Sequence, residues 1–365
     1  MIHSANSTSF ARLFSAQFQN FLCAFFLFVI CAILFARPVL AQSTLDPDEL
    51  CSNSPQAIAS FADPVLEAAV REALSIGSED ALTCSLVTGL TALSASGPGP
   101  VRSVSGSPEW RDPDHVFNNL AGMQNLTGLT RLTLNNRGIT DISPLQGLNN
   151  LTVLNLHTNW ITDLSALAGM TKLTRLFLSE NPLGDISPLQ NLTEMRVLRL
   201  HRHGDFIGGQ RPRNYKGATG ILFSNAITDI TPLARLTKLE DLNIHTQEIS
   251  DLSPLSGLRN IIELRLAGNL FTDLSPLRGL TTLQNLELTG NSITELTALS
   301  GLTNLSRLDL RYNPELSNIQ ALLENPGIGQ GDIVELRFTS VTCTDQALLA
   351  DKGVEVRTEL FSACN

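Results

Sequence analysis

The sequence predicts an α/β solenoid, in which one short structural unit is stacked repeatedly along a single axis. A 22-residue pattern recurs through most of the chain, for example from Ile139, from Ile249 and from Phe271. Each of these copies alternates apolar and polar residues and contains an Asn and a short turn with a Pro. A fixed period in the twenties is typical of repeat proteins whose neighbouring units share one core.

The apolar positions of each copy predict a short strand with one buried face. Leu154 and Leu156 alternate with residues of the opposite face, and this period of two is typical of a half-buried strand. Successive strands are expected to stack in parallel about 4.8 Å apart. The first apolar strand residues of the units are Leu129, Leu151, Leu173, Met195, Leu239, Ile261, Leu283 and Leu305. The predicted fold is a leucine-rich-repeat horseshoe or arc with a parallel concave sheet, capped at both ends.

The segments between the strands predict short helical turns on the convex side. Ser143-Pro144-Leu145 recurs in later copies, and a hydroxyl residue followed by Pro favours a helix start with the hydroxyl as its cap. Acids such as Asp141, two residues earlier, are expected to accept hydrogen bonds from turn amides. A calcium ladder is the alternative, but one carboxylate per unit supplies too few oxygens. A ladder of buried amides is expected from Asn159, Asn181, Asn225, Asn269, Asn291 and Asn313.

One interval of the chain breaks the regular spacing. The step from Met195 to Leu239 is twice the usual period, and residues 203–220 within it lack the leucine framework. Either a degenerate ninth unit keeps the coil continuous, or a basic loop of one repeat's length protrudes from it. The degenerate unit is favoured, because Asn225 and Ile227 return to the phase of the repeat. In both cases this irregular interval is a place where function is expected.

The sequence outside the repeats predicts an export signal and two caps. Residues 1–41 contain an unbroken apolar run followed by small residues, as in a secretory signal peptide. An uncleaved N-terminal membrane anchor that faces outside is the alternative. Residues 42–118 are expected to form an N-terminal cap with a helix over 63–75 and a Pro/Gly-rich insertion. Residues 119–325 hold the repeats, and residues 326–365 form a C-terminal cap over the open end of the core.

The charge and the cysteines are in keeping with an exported protein. The formal net charge of −10 gives no global bias toward nucleic acid or anionic membranes. Four cysteines lie outside the signal segment, and four cysteines permit three pairings. Their positions before and after the repeats favour Cys51–Cys84 and Cys343–Cys364, one bond in each cap. An exported protein would keep such bonds.

The repeat unit resembles the internalin type of bacterial leucine-rich repeat. The resemblance rests on the pattern I-x-D-[IL]-S-P-L-x-x-L-T-x-L-x-x-L-x-L-x-x-N, which extends through most of residues 119–325. Residues 63–74 are similar to the cap helix of many exported bacterial repeat proteins. The resemblance implies binding to protein through the concave sheet. It carries over no receptor contact residue by residue, because the strand positions vary between repeats.

The variable strand positions are the candidate binding site, because residues between the leucines are expected to point to the concave face. The candidates are Arg131, His157, Arg175, Phe177, Arg199, His201, Phe223, His245, Arg265, Arg307 and Arg311. The N-terminal half of this set is basic with aromatic residues, and the part from Asp241 to Asp309 is mixed and more acidic. Such a face favours a partner with its own charge asymmetry. The alternative is that opposite charges on adjacent strands pair with one another.

His157, His201 and His245 fall in one column of the predicted sheet. They lie two units apart, so about 10 Å is expected between neighbours. This spacing exceeds that of metal ligands, and no metal site is expected. A binding face that responds to pH through these histidines is an alternative.

No motif of the sequence indicates catalysis. No Ser or Cys has a recognisable nucleophile elbow, and Gly327-x-Gly329-x-Gly331 lacks the Lys and Ser/Thr of a phosphate loop. We expect an exported, non-enzymatic, monomeric protein without a cofactor, which binds a protein or another extracellular ligand. A nucleic acid partner is not expected, nor is membrane contact beyond the N-terminal segment. A structural or envelope-associated scaffold and an accessory subunit of an enzyme are the alternatives.

Overall fold

The computed structural model describes residues 42–97, 117, 119–202 and 226–358. The chain divides into two compact units, Met1–Ser43 and Thr44–Asn365, and all the helices and strands given below belong to the second unit. Several features named above lie outside the described residues. These are the predicted signal segment, most of the Pro/Gly-rich insertion, the irregular interval with Phe223 and Asn225, and Cys364.

The second unit contains one open sheet of eleven parallel strands in sequence order. The strands are β1 (Ala92–Ser94), β2 (Arg131–Thr133), β3 (Val153–Asn155), β4 (Arg175–Phe177), β5 (Val197–Arg199), β6 (Asp241–Asn243), β7 (Glu263–Arg265), β8 (Asn285–Glu287), β9 (Arg307–Asp309), β10 (Ile333–Glu335) and β11 (Glu355–Arg357). Each strand pairs with its neighbours in the sequence. The predicted solenoid with a parallel sheet is confirmed.

The register of the sheet follows the 22-residue period. Arg131 pairs with Val153, and Val153 pairs with Arg175. The central leucines of these strands, such as Leu132 and Leu154, are fully buried because they point into the shared core. Full burial of one such side chain contributes roughly 1.5–3 kcal/mol, so the stacked leucines dominate the stability of the fold. The first and third residues of each strand lie on the other side of the sheet, which we call the concave face.

The irregular interval does not supply a strand between β5 and β6. Val197 lies directly opposite Asp241, and Leu198 lies opposite Leu242. The N–H of Leu200, just after β5, also donates to the carbonyl of Asn243 in β6. The interpretation of the interval as a degenerate ninth unit is therefore wrong, because such a unit would separate these strands. The sheet continues across the interval as it does between regular repeats.

An aspartate two residues before the turn accepts hydrogen bonds from most of the convex turns, and Glu295 stands at this position in one unit. The Ser-Pro-Leu segments at 143–145 and 253–255 are single 3₁₀ turns. Asp251 accepts hydrogen bonds from the backbone N–H and the hydroxyl of Ser253, both at 2.8 Å. These bonds lower the pKa of the Asp251 carboxyl below its ordinary value, with the backbone bond as the largest cause. The role expected for the acids is confirmed. The expected hydroxyl cap is wrong, because a carboxylate is the stronger acceptor.

A column of buried amides joins each unit to its neighbours. Asn159 donates to the carbonyls of Leu134 and Leu156, and it accepts hydrogen bonds from the N–H groups of Arg137 and Ile139. Equivalent positions are filled by Asn181, Asn269, Asn291 and Asn313, and also by Gln247, which the sequence pattern did not suggest. A buried backbone group without a partner costs roughly 1–3 kcal/mol, so this ladder maintains the register between units.

The N-terminal cap covers the first unit with two helices. α1 (Pro64–Leu74) begins after Asp63, whose carboxylate accepts hydrogen bonds from the first turn of the helix. α2 (Cys84–Gly89) precedes β1. Cys51 and Cys84 form a disulfide with a Cα–Cα distance of 5.3 Å, which is the pairing favoured by the sequence. The bond ties the start of the cap to α2.

The C-terminal cap closes the other end with α3 (Gln320–Glu324) and α4 (Cys343–Asp351). The ammonium of Lys352 donates to three backbone carbonyls near the end of α3, at 2.8–3.0 Å. β11 follows α4 and pairs with β10. Cys343 is disulfide-bonded, and its predicted partner Cys364 lies outside the described residues.

Candidate binding face

The concave face brings most of the predicted binding residues into one surface. These residues occupy three positions of the repeat. The first strand position holds Arg131, Arg175 and Arg307, and the last strand position holds Phe177, Arg199 and Arg265. The position two residues after a strand holds His157, His201, His245 and Arg311. Phe223 lies outside the described residues. The repeat geometry produces this grouping, because equivalent positions of successive units lie side by side.

The N-terminal half of the concave face, from β1 to β5, carries arginines but no acidic strand residue. Arg131 and Arg175 are both exposed, and neither forms an ion pair or a side-chain hydrogen bond with another described residue. The strand residue that lies in register between them is the uncharged Val153. Two guanidinium groups are therefore available to a ligand without first breaking an existing pair.

Arg199 lies where the basic half meets the acidic half. Its guanidinium donates to the Asp241 carboxylate at 2.8 Å and lies 5.6 Å from the centre of the Phe177 ring. A cation–π contact of this kind contributes roughly 0.5–1 kcal/mol at an exposed site. Asp241 also accepts a hydrogen bond from Arg265. Arg199 is thus held in place and partly neutralised, unlike Arg131 and Arg175.

The three histidines are closer together than the sequence predicts. The ring centres of His201 and His245 are 4.5 Å apart, and those of His157 and His201 are 6.3 Å apart. The expected spacing of about 10 Å is wrong for both pairs. His201 and His245 are the closer pair because β5 and β6 are adjacent rather than separated by another strand. Nδ1 of His201 is 2.8 Å from the hydroxyl of Ser179. The histidines place a row of rings beside the basic half.

The arginines of the C-terminal half are paired with acids. The ion pairs are Arg265 with Asp241 and Glu263, Arg311 with Asp309, Arg357 with Glu355, and Glu335 with Arg307, Arg337 and Arg357. Opposite charges on adjacent strands therefore pair with one another in this half, as the alternative interpretation predicts. Exposed ion pairs in proteins contribute only about 0–1 kcal/mol each. Arg357 and Glu355 form such a pair. Asp309 and Glu335 are buried, so their carboxylates depend on the arginines that they contact.

Among the described residues, one strand carboxylate of the C-terminal half, that of Glu287, has no such partner. Glu287 lines a depression of about 270 Å³, together with Arg265, Asn285, Leu286, Arg307, Asp309 and Arg311. Arg265 is opposite Glu287 in register, but its guanidinium contacts Asp241 and Glu263 instead. Burial, followed by the nearby Asp309 carboxylate, raises the pKa of Glu287 above its ordinary value. The sequence does not identify Glu287, because its lack of an ion pair depends on which carboxylates Arg265 contacts.

Comparisons with known proteins identify the repeats. A family model described as "Leucine Rich repeats (2 copies)" matches residues 127–169. An internalin of Listeria monocytogenes, inlF, is 27% identical, with a TM-score of 0.58 over 83% of this chain and 93% of its own. Internalin C2 of the same organism is 28% identical, with a TM-score of 0.51 over 77% and 94% of the two chains. The chain is a leucine-rich-repeat protein of the internalin type.

A more distant structure shares the fold of this internalin-type protein. The leucine-rich-repeat ectodomain of the plant receptor kinase GASSHO1/SCHENGEN3, from Arabidopsis thaliana, is 20% identical with a TM-score of 0.50. The similarity covers 69% of this chain and 27% of the plant chain. That ectodomain was solved in complex with CASPARIAN STRIP INTEGRITY FACTOR 2. No curated protein shows significant similarity to the chain.

The chemical groups on the concave face of the internalin-type protein suit recognition. Among the described residues, no three His, Cys, Asp or Glu side chains are arranged to hold a metal ion. Within the same residues, no helix is both long and apolar enough to cross a membrane. The face presents exposed guanidinium groups, aromatic rings and the Glu287 carboxylate, which has no ion pair with any residue that the structure describes. Arginine and aromatic side chains contribute strongly to binding at protein interfaces.

Proposed function

We propose that this internalin-type protein binds another protein through the N-terminal half of its concave face. The observation that carries the proposal is the presence of two exposed arginines, Arg131 and Arg175, without a counter-ion among the described residues. The other arginines of the concave strands all contact an acid. Binding at Arg131 and Arg175 therefore gains new charge-assisted hydrogen bonds without the loss of existing ones.

The proposed partner presents an acidic segment to this half of the face. A guanidinium group matches a carboxylate in a bidentate geometry, and two such contacts fix an orientation as well as a position. Arg131 and Arg175 are two strand spacings apart, or about 10 Å. Carboxylates at a similar separation would contact both arginines. Electrostatic attraction of this kind raises the association rate and makes it sensitive to salt.

Aromatic side chains beside the arginines would supply apolar contact area. Phe177 is half-buried under Arg199, and His201 and His245 lie side by side at the same end of β5 and β6. These rings are fixed by their neighbours, so they lose little conformational freedom when a partner covers them. We therefore expect the acidic segment of the partner to be followed by a residue whose side chain packs on these rings.

We further propose that the protein works outside the cytosol, as a monomer and without catalysis. The Cys51–Cys84 disulfide supports the location outside the cytosol, because such bonds persist in oxidising compartments. The export signal predicted over residues 1–41 supports the same location.

Replacement of Arg131 and Arg175 by alanine tests the binding site. Partners that co-purify with the wild-type protein from the exported fraction would be identified, and their affinities measured by biolayer interferometry. We expect Arg131→Ala with Arg175→Ala to weaken the specific partner by at least about tenfold, because arginines at an interface often contribute more than 1.4 kcal/mol each. Most of the salt dependence of association should disappear as well.

A matched control is Arg259→Ala with Arg278→Ala. Both of these arginines are exposed and follow the convex turns of their units, so the variant removes the same charge from another surface. The control variant should bind like the wild type. Equal binding by the Arg131/Arg175 variant, or a wild-type protein that retains no partner at all, would contradict the proposed function.

A further inference from the structure

Two aromatic rings stack on each other just beyond the ends of β9 and β10. Tyr312 and Phe338 each follow their strand by three residues, and their nearly parallel rings have centres 4.4 Å apart. Both residues have a left-handed backbone, with φ values of 55° and 60°, which is unusual for bulky side chains. Phe338 is nevertheless 48% exposed. Strained backbone of this kind is concentrated at functional sites, so the pair is a candidate site outside the basic half.

The repeat leaves one face of the Tyr312 ring uncovered. Because the strands follow one another in sequence order, Phe338 stacks on the face of the ring that is directed toward β10. The other face is directed toward the unit of β8, where Gly290 occupies the equivalent position. A glycine has no side chain that could cover the ring. No second ring and no guanidinium group stacks on Tyr312 within the described part of the chain.

The depression described above lies next to this ring. Arg311, which precedes Tyr312, lines the depression together with Asn285 and Glu287 of β8. Neither Asn285 nor Glu287 forms a side-chain hydrogen bond with another residue that the structure describes. Tyr312 follows Asp309, another lining residue, by three positions, so their backbones are at most about 10 Å apart. A flat apolar surface and unused hydrogen-bonding groups are therefore adjacent.

The charges around the depression offset one another. Its lining includes three arginines and two acids, and the same arginines also contact acids that lie outside it. Arg265 contacts Asp241 and Glu263, and Arg307 lies 3.8 Å from Glu335. A ligand with a formal charge of either sign therefore gains little here. A neutral ligand with many hydroxyl groups can instead use the fixed donors and acceptors of the lining.

We propose that Tyr312 and the adjacent depression bind a neutral oligosaccharide. A sugar ring combines an apolar C–H face with hydroxyl groups at its rim. The C–H face of one ring would pack on the free face of Tyr312, and hydroxyl groups of the next ring would form hydrogen bonds with Asn285, Glu287 and Arg311.

This site goes beyond the proposed function and does not depend on it. Tyr312 belongs to the unit of β9, which is five strand spacings, or about 24 Å, from Arg175 in β4. The saccharide is therefore a ligand separate from the protein partner, and the protein has room for both on the same face.

An array of immobilised oligosaccharides, probed with the exported full chain, tests the proposal. The array would contain neutral, sulfated and amino-sugar oligosaccharides. The protein should bind neutral members, and its affinity should change little from low to high salt, because a neutral ligand has no charge to screen. Binding of charged members alone, or of no member, would overturn the proposal.

Variants at the ring connect binding to the site. Tyr312→Thr introduces the residue that the repeat already has at Thr158 and Thr246, so the fold should be kept. Isothermal titration calorimetry should show that it binds the best neutral saccharide at least about tenfold more weakly, whereas Tyr312→Phe should bind like the wild type. Gly290→Asn should cause a similar loss, because the new side chain covers the free face of the ring and Asn tolerates a left-handed backbone.

The matched control is Trp160→Thr, which removes an exposed aromatic ring from a position outside the concave strands. It should bind the saccharide like the wild type. Equal binding of the saccharide by Tyr312→Thr and the wild type would contradict the assigned site, with circular dichroism as the check that each variant is folded.

The protein partner provides the comparison that separates the two proposals. Arg131→Ala with Arg175→Ala should bind the saccharide like the wild type, and saturating saccharide should not displace the partner. Displacement would overturn the assignment to a separate ligand, because it would place the saccharide on the partner itself. Loss of the partner in the Arg131/Arg175 variant concerns the proposed function alone.

Discussion

At the scale of single residues, the turn before each ladder amide imposes a left-handed backbone. Thr158, Thr246 and Tyr312 have φ values of 56°, 57° and 55°, and Gly268 and Gly290 stand at the equivalent position of other units. A residue with a Cβ costs about 1–2 kcal/mol in this conformation. This cost is offset because the amide side chain that follows forms hydrogen bonds with buried backbone groups of two units.

Replacement of Thr246 by glycine is expected to stabilise the protein. The change relieves the left-handed backbone and removes a buried hydroxyl that has no hydrogen-bond partner within the described part of the chain. The greater freedom of glycine in the unfolded chain offsets part of this gain, so the free energy of unfolding should rise by about 0.5–1 kcal/mol. Urea denaturation followed by circular dichroism measures the change.

Gly290→Thr is the reciprocal control for this prediction. Gly290 has a φ of 67°, so a threonine at this position should lower the free energy of unfolding by about 1 kcal/mol or more. If Thr246→Gly destabilises the protein while Gly290→Thr leaves it unchanged, backbone strain is not the cause of the pattern.

The limits of sequence reasoning also show at this scale. The aspartates of the convex turns were identified from their spacing alone, since an acid two residues before a turn has a local hydrogen-bond partner. Glu287 could not be identified in this way. Its character depends on Arg265, which is adjacent to it across the sheet but contacts two other acids. The linear sequence does not show which of several cross-strand acids an arginine contacts.

At the scale of elements, the period of 22 residues was sufficient to locate the strands of the regular units and to predict their parallel order. It misled only at the irregular interval. A degenerate repeat and an insertion of one repeat's length keep the same phase, so the spacing of Asn225 and Ile227 cannot separate them. The direct pairing of β5 with β6 does separate them.

Deletion of residues 203–224 should leave the solenoid folded. The deletion joins Arg202 to Asn225, which restores the regular spacing from Leu198 and Leu200 to an Asn. Because β5 and β6 already pair directly, the free energy of unfolding should stay within about 1 kcal/mol of the wild type, and the shorter loop should favour folding slightly. Circular dichroism and urea denaturation provide the measurement.

A half-length deletion, residues 203–213, distinguishes an insertion from a repeat. An insertion outside the coil tolerates a loop of any length, so this variant should be as stable as the full deletion. A unit of the coil would tolerate only the removal of a whole period. Tolerance of the full deletion combined with unfolding of the half deletion would contradict the pairing of β5 with β6.

At the scale of the whole molecule, the concave face carries two charge regions of different character. The basic region from β1 to β5 has free arginines, whereas the region from β6 to β11 is a network of ion pairs around Glu287. The sequence predicted the two regions from the strand residues. It does not show that the arginines of the second region already form ion pairs with acids. For this reason the sequence groups Arg265, Arg307 and Arg311 with Arg131 and Arg175.

Photo-crosslinking tests most directly whether a partner binds the N-terminal half of the concave face. A photoreactive benzoylphenylalanine would replace Val153, which lies in register between Arg131 and Arg175, or Gln190, which lies in a convex turn. After irradiation with the partner bound, the Val153 position should form a covalent adduct and the Gln190 position should not. An adduct from the Gln190 position alone would contradict binding at the concave face.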